Sequence, residues 1–303
     1  MKALIFGLCF ILISTVGFSQ QKKQIDDSFF SLCDSLFKNI YNYHFKDAEV
    51  NFDNICNNYK NSLALSNIKA SYYWYLLISG DTSKDYYQMC FSELKQAREK
   101  YIKNESIIND KLLLGNTIYL NAAMARLEIF EKNYMNALIY LDKCSRFIKK
   151  SFHETDERFV FSTGLYQYYI AFALKKYPFL YPVLILYPKG NKEEGLRLLN
   201  QGVYSQQMLV RTESRYFLMK IYLESESNIR QSKYWASKLI SEFPENMLFN
   251  YYYFLILIEE DKIDEARNYL NKLEKKANNN QQLNKSQREH FIKIAREKID
   301  SAS

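Results

Sequence analysis

"EEDKIDEARNYLNKLEKK", residues 259 to 276, decides the fold because it places a small and a large apolar residue on one helical face. Ala266 is followed four residues later by Leu270, and that spacing puts both side chains on the same side of a helix. The small residue lets a neighbouring helix approach closely, while the large one fills the space beside it. The stretch therefore predicts the second helix of a helical hairpin.

The same pattern recurs along the chain, most clearly in "NYHFKDAEVNFDNICNNY" at 42 to 59 and "EKNYMNALIYLDKCSRF" at 131 to 147. The matching positions are Ala48 and Phe52, Ala137 and Leu141, Cys90, Leu94 and Ala97, Gly195 and Leu199, and Ser232 and Ala236. The spacing from Ser232 to Ala266 is 34 residues. A pattern with this period predicts stacked hairpins.

These stretches resemble tetratricopeptide (TPR) repeats over residues 26 to 277, although the Trp and Gly expected in each first helix are mostly missing. The resemblance implies an all-α fold, a right-handed superhelix of about six hairpins (an α-solenoid) with a concave surface. Only eight Gly and four Pro in 303 residues also favour long helices. TPR proteins bind other proteins or peptides, so the resemblance implies a scaffold or adaptor. Its partner is an unidentified protein or peptide.

The N-terminus is typical of a secretory signal peptide. Lys2 precedes an apolar stretch from 3 to 16, and Gly17 and Ser19 stand at cleavage spacing. We expect cleavage after Ser19, with an uncleaved anchor as the alternative. Residues 1 to 19 are thus the signal peptide and 20 to 277 the repeat domain, which predicts an exported protein, periplasmic or extracellular.

"YPFLYPVLILYPKGNKEEG", residues 177 to 195, interrupts the repeats with three Tyr-Pro pairs. Pro178 ends the preceding helix, and Pro182 breaks an apolar run too short to span a bilayer. We expect an enlarged joint that covers an end of the core; a ligand-contacting lid and a membrane contact are the alternatives. No transmembrane segment is expected after signal cleavage.

The sequence around this joint resembles a recurring element of uncharacterised secreted bacterial TPR proteins, and faintly a eukaryotic inclusion-body-clearance family. Neither resemblance brings a catalytic residue. The positions that match are Gly164, Tyr166, Tyr168 and Tyr169. We expect partner binding by these four residues and by Tyr181 and Pro182 of the joint.

The sequence provides little for catalysis. "HETDER" at 153 to 158 gathers one His with three carboxylates, but it lacks the second His of a helical metalloprotease and is typical of a helix N-terminus. No phosphate-binding glycine loop or GxSxG motif occurs. The net charge of +7 is spread over interspersed acids and bases, which is not a nucleic-acid footprint. We expect no catalytic, cofactor or metal site.

The aromatic clusters leave a second function open. Residues 72 to 75 and 251 to 254 each hold four consecutive aromatic side chains. Consecutive rings point both inward and outward on a helix, so they fill the core or line a groove for a glycan such as peptidoglycan. A non-enzymatic cell-envelope scaffold is the preferred reading, a glycan-binding module the runner-up, and an enzyme the third.

Two further expectations concern the cysteines and the C-terminal tail. Cys33 and Cys56 lie level in the first predicted hairpin, so they form either a disulfide or two buried thiols. No CxxC pair suits zinc. The sequence of residues 278 to 303 predicts a polar linker, to 286, and an amphipathic helix. We expect this helix to cap the last hairpin, with binding to a partner as the alternative.

Overall fold

The computed structural model describes residues 27–59, 63–102, 110–152, 154, 156–176 and 187–301. The predicted signal peptide, Tyr181, Pro182 and most of the Tyr-Pro joint lie outside these residues. The described part of the chain forms thirteen α-helices and contains no strand, which confirms the all-α class.

The bounds of the helices are α1 Asp27–Tyr41, α2 Phe45–Asn58, α3 Leu63–Ile78, α4 Tyr86–Tyr101, α5 Lys111–Phe130, α6 Tyr134–Ser151, α7 Glu157–Lys176, α8 Lys192–Gly202, α9 Met208–Glu224, α10 Ile229–Glu242, α11 Met247–Glu259, α12 Ile263–Asn279 and α13 Lys285–Asp300. Neighbouring helices pack on each other in the pairs α1–α2, α5–α6, α7–α8, α10–α11 and α11–α12. The predicted helix "KEEGLRLLNQG" is α8, and its start follows from Asn191, whose side chain accepts from the Glu194 N–H.

The three clearest copies of the sequence pattern share one turn. Tyr43, Lys132 and Asp261 have positive φ angles of 58°, 63° and 60°. In each turn this residue donates its N–H to the carbonyl three residues earlier, and the next residue donates to the carbonyl five residues before itself. This is the Schellman ending of a helix. Each left-handed residue stands five positions before the small residue of its copy, so the three hairpins have the same register.

The small and large residues predicted for the inner faces are buried, with Leu141 partly buried. Ala48, Ala137 and Ala266 expose 1% or less of their surface. In the α5–α6 hairpin, Ala137 packs against Ala125 and Ile129, and Leu141 packs beside them. The predicted pairing of a small with a large side chain therefore describes how these hairpins pack.

The described residues divide into two compact units. Unit 1 contains Asn61–Ala70 and Phe91–Phe217, and unit 2 contains Ile25–Lys60, Ser71–Cys90 and Leu218–Ser303. Each unit is assembled from separate stretches of chain, and the repeat domain from 20 to 277 stays a prediction. The division therefore does not follow chain order.

Unit 2 brings the first and last hairpins into contact. The ring centroid of Tyr41 lies 5.3 Å from that of Phe243 and 6.2 Å from that of Phe249. Asn246 Nδ2 donates to the Tyr41 carbonyl over 2.8 Å. An array in which each hairpin touches only its chain neighbours does not predict these contacts.

Helix α13 packs on the last hairpin, contacting α11 and α12, as predicted for a capping helix. Its Asn284–Gln287 capping box fixes the N-terminus, and Gln287 Nε2 also donates to Ser79 Oγ over 2.9 Å. The linker is shorter than the predicted 278–286, because α12 continues to Asn279 and α13 begins at Lys285. Among the described helices, none is long and apolar enough to cross a membrane.

Candidate functional site: a groove between three helices

The candidate site lies in unit 1 and depends on the different character of two helices. Helix α5 is buried at every position from Leu114 to Ile129, so it forms the floor. Helix α6 is amphipathic and turns Ala137 and Cys144 inward. Because one side of α6 packs on α5, its opposite side faces outward at the edge of the groove.

The groove has a volume of about 500 Å³ and is lined by α4, α5 and α6 with Ile102. The side chains that line it are Phe91, Lys95, Arg98, Glu99, Ile102, Met124, Glu128, Asn136, Ile139, Tyr140 and Lys143. On α4 and α6 these residues recur every three or four positions, so each helix presents one continuous face. The groove therefore combines apolar side chains with charges of both signs.

Tyr140 stands between two cations on the wall of the groove. The guanidinium carbon of Arg98 lies 6.0 Å from the Tyr140 ring centroid, and Lys143 Nζ lies 5.8 Å from it. Arg98 Nη1 also donates to Asn121 Oδ1 over 2.6 Å. Burial raises the pKa of Tyr140, Glu128 adds to that effect and Arg98 opposes it, so the phenol stays neutral near pH 7.

Glu128 is the most deeply placed acid of the groove, with 4% of its surface exposed. Its Oε2 accepts a hydrogen bond from Asn136 Nδ2 over 3.4 Å. Glu99, in contrast, is exposed on α4. The charges that an approaching molecule meets first are therefore Lys95, Arg98, Lys143 and Glu99.

An apolar surface adjoins the groove at the α5–α6 turn. It consists of Phe130, Met135, Leu138 and Ile139, all of which are exposed. Met135 exposes 76% of its surface and Ile139 54%, and Ile139 also lines the groove. We call these four residues the α6 apolar surface. Large apolar side chains that lie together on a surface are typical of interaction sites.

The residues predicted to bind a partner have other positions in unit 1. The rings of Tyr166, Tyr168 and Tyr169 are buried. Tyr166 Oη donates to the Pro188 carbonyl over 2.8 Å, and burial raises the pKa of this tyrosine. Gly164 lies where α7 meets α8. The described residues of this set thus serve packing here, and their role in partner binding stays a prediction, as does that of Tyr181 and Pro182, which lie outside the described residues.

The four described cysteines, Cys33, Cys56, Cys90 and Cys144, are thiols in the structure, and the Cys33–Cys56 disulfide stays a prediction. Cys33 is buried in α1, and burial, with Asp34 adding to it, raises the pKa of its thiol. Cys144 is buried as well, and its Sγ lies 3.7 Å from the Ile118 carbonyl oxygen. Burial raises the pKa of Cys144 to about 12.

The described residues of the other candidate sites from the sequence form no exposed cluster. Tyr72, Trp74 and Phe254 are buried, and the other residues of their two aromatic runs are half-buried. Of "HETDER", Glu154 accepts from Lys111 over 2.6 Å and Glu157 begins α7. No group of three or more His, Cys, Asp or Glu side chains within the described ranges is arranged to hold a metal ion.

The sequence reasoning missed the groove, although one signal was present. Met135, Leu138 and Ile139 lie on the side of α6 opposite Ala137, where a solvated helix ordinarily carries polar residues. Apolar residues on both sides of an amphipathic helix indicate that its outward side also binds another surface.

Comparison with known proteins finds no relative: no family model, no curated protein and no solved structure matches this chain. The TPR resemblance accordingly stays a prediction from the repeated sequence pattern.

Proposed function

We propose that this chain is a non-enzymatic TPR-like adaptor of the cell envelope, which binds another protein at the groove and the α6 apolar surface. Its export rests on the signal-like pattern of residues 1 to 19. The superhelical arrangement rests on the repeated sequence pattern, and the shared Schellman turns at Tyr43, Lys132 and Asp261 support it.

One observation carries the proposal: the α6 apolar surface continues into the groove through Ile139. Met135 and Ile139 are mostly exposed, although burying a side chain of this size stabilises a protein by about 1.5–3 kcal/mol. An apolar patch beside charged residues has the composition of a protein interface, with an apolar centre and a polar rim. A partner that covers this surface gains that free energy.

The polar groups of the groove also favour docking over catalysis. Arg98 is held by Asn121, and Glu128 accepts from Asn136, so both contacts fix side chains in place. Tyr140, with its raised pKa, is poorly suited to give up a proton near pH 7. The groove thus has orienting contacts, apolar side chains and an open mouth, which are the requirements of a binding surface.

The test is site-specific photo-crosslinking in the cells that make the protein. A photoreactive benzophenone amino acid replaces Ile139, or Val50 in α2 as the matched control, since Val50 is 61% exposed and Ile139 54%. We expect a discrete crosslinked species from position 139 and none from position 50. Adding Met135→Asp is expected to remove that species, because a carboxylate opposes burial of the surface.

Equal crosslinking from both positions, or none from position 139, contradicts the proposal. Circular dichroism of each purified variant verifies that the helical fold is retained. A crosslinked species that survives Met135→Asp indicates contact without dependence on the apolar surface and also counts against it.

A further inference from the structure

The charges of the groove narrow the chemistry of its partner, and this inference rests on the proposed function. The groove lining contains three cations, Lys95, Arg98 and Lys143, against the two carboxylates of Glu99 and Glu128. Glu128 is buried with 4% exposure and accepts from Asn136, so its charge lies beneath the surface. Among the described lining residues the accessible charges are therefore three cations and the carboxylate of Glu99, an excess of positive charge.

The cations are concentrated around one ring. Arg98 and Lys143 approach Tyr140 from α4 and α6, with their charged atoms 6.0 and 5.8 Å from the ring centroid. A carboxylate that approaches beside this ring is attracted by a cation within the screening distance of about 8 Å at physiological salt. The exposed Asp142 nearby on α6 pairs with Arg146 one turn further along. Opposite charge on a partner therefore complements this wall.

The apolar contacts run parallel to these charges. Phe91 and Ile102 mark the two ends of the α4 face, and Ile139 faces it from α6. The eleven residues of α4 from Phe91 to Tyr101 rise about 16 Å, the length of about three helical turns. A helix with an apolar face and flanking acids matches both the spacing and the charge of the groove.

We infer that the groove binds an amphipathic helix of a partner protein, whose apolar face packs on Ile139 and Phe91 and whose Asp or Glu side chains pair with Arg98 and Lys143. The apolar contacts supply the affinity. The charges set the specificity, because a basic helix meets like charge at the same wall.

Three synthetic peptides test this inference. Each has about fourteen residues, long enough to span the α4 face although only marginally helical when free in water, and the same leucine face, with Glu, Gln or Lys at every polar position. Fluorescence anisotropy with the chain from Gln20 measures each Kd. We expect the Glu peptide to bind roughly fivefold more tightly than the Gln peptide, and the Lys peptide to bind most weakly, since exposed ion pairs each contribute little to affinity.

Charge reversal locates the effect. Lys143→Glu and, separately, Lys95→Glu are expected to weaken binding of the Glu peptide and strengthen that of the Lys peptide. Lys293→Glu is the matched control, because Lys293 is exposed on α13 and the variant has the same net charge. If all three variants change Kd equally, the effect is one of overall charge and the inference is overturned.

The remaining outcomes separate this inference from the proposed function. In one outcome the unmodified protein binds the Glu and Lys peptides equally, and Ile139→Asp abolishes the binding of all three peptides. This outcome overturns the acidic partner and leaves the docking surface in place. If none of the peptides binds, the helical occupant is overturned, and the crosslinking at position 139 decides the adaptor role independently. If Ile139→Asp converts a dimer to a monomer in sedimentation, the occupant is a second copy and the inference is overturned.

Discussion

Gly164 and Gly195 face each other where α7 packs on α8. A β-carbon on Gly195 would lie 2.8 Å from the Gly164 carbonyl oxygen and 2.5 Å from the Tyr168 backbone nitrogen. Both atoms belong to the backbone of α7, so no side chain can move aside to make room. The two helices reach this separation because neither glycine has a side chain.

Gly195→Ala is expected to destabilise the protein by about 1–3 kcal/mol, since the two helices must separate to admit the methyl group. Gly164→Ala is the matched variant. Its β-carbon would lie 3.1 Å from the Leu198 side chain and 3.2 Å from the Gly195 carbonyl oxygen, which is tight but less severe. The gain in helix propensity offsets part of that cost. Urea unfolding of both variants measures the order, and a smaller loss for Gly195→Ala contradicts the α7–α8 contact.

The sequence predicted the elements better than their arrangement. The prediction of helix α8 was correct because Asn191 caps its N-terminus. The burial of Ala266 and Leu270 was predicted from their spacing along the helix. These are local properties of one helix. The contact of Tyr41 with Phe249 joins residues that are about two hundred positions apart, and no local pattern specifies it.

The candidate site was missed for the same reason. It is assembled from α4, α5 and α6, and the alternation of charge on one helix does not indicate which residues of another helix face it. The sequence predicted a partner-binding role for the tyrosines around Gly164, and in the structure their rings are buried inside unit 1. Aromatic side chains contribute to cores and to interfaces alike, so their sequence pattern does not separate the two.

Lys132 offers a test of the shared turn. It is an exposed residue with a φ of 63°, and a non-glycine residue in this region costs about 1–2 kcal/mol. Lys132→Gly removes that cost but increases the freedom of the unfolded chain, so we expect a net stabilisation of about 0.5 kcal/mol. Lys132→Ala retains the β-carbon and is expected to give no gain. Thermal unfolding compares the two, and a destabilised glycine variant means that the turn is not left-handed at this position.

His290 is expected to make stability depend on pH. His290 lies on α13 and packs closely on Gly80, where an added β-carbon would lie only 2.3 Å from the His290 Cβ. Burial lowers the pKa of the His290 imidazole. The unfolded chain therefore binds a proton first as the pH falls below about 6.5. Stability is unaffected above that value and decreases below it.

The measurement is urea unfolding of the protein and of His290→Gln at pH 7.5 and pH 5.5, a range in which most carboxylates stay ionised. We expect the midpoint of the unmodified protein to fall more between these values than that of the variant. Identical pH dependence of the two proteins would show that His290 is as easily protonated in the folded state as in the unfolded state.

The cysteines provide the last prediction, because the Cys33–Cys56 disulfide stays an open prediction and the described cysteines are thiols in the structure. Burial raises the pKa of Cys33, with Asp34 adding to it, and raises that of Cys144 to about 12. Only the thiolate reacts with iodoacetamide, so its rate falls as the pKa rises and access is lost. Cys56 is half-exposed in α2.

At pH 8 we expect iodoacetamide to label Cys56 first in the native protein. Cys33 and Cys144 are expected to react more than tenfold more slowly in the native protein than in the denatured protein. Mass spectrometry of timed samples, taken without reductant from protein made in an oxidising compartment, gives the rates. A linked Cys33–Cys56 peptide would show that the disulfide forms. Equal labelling of Cys33 and Cys56 in the native protein would contradict the burial of Cys33.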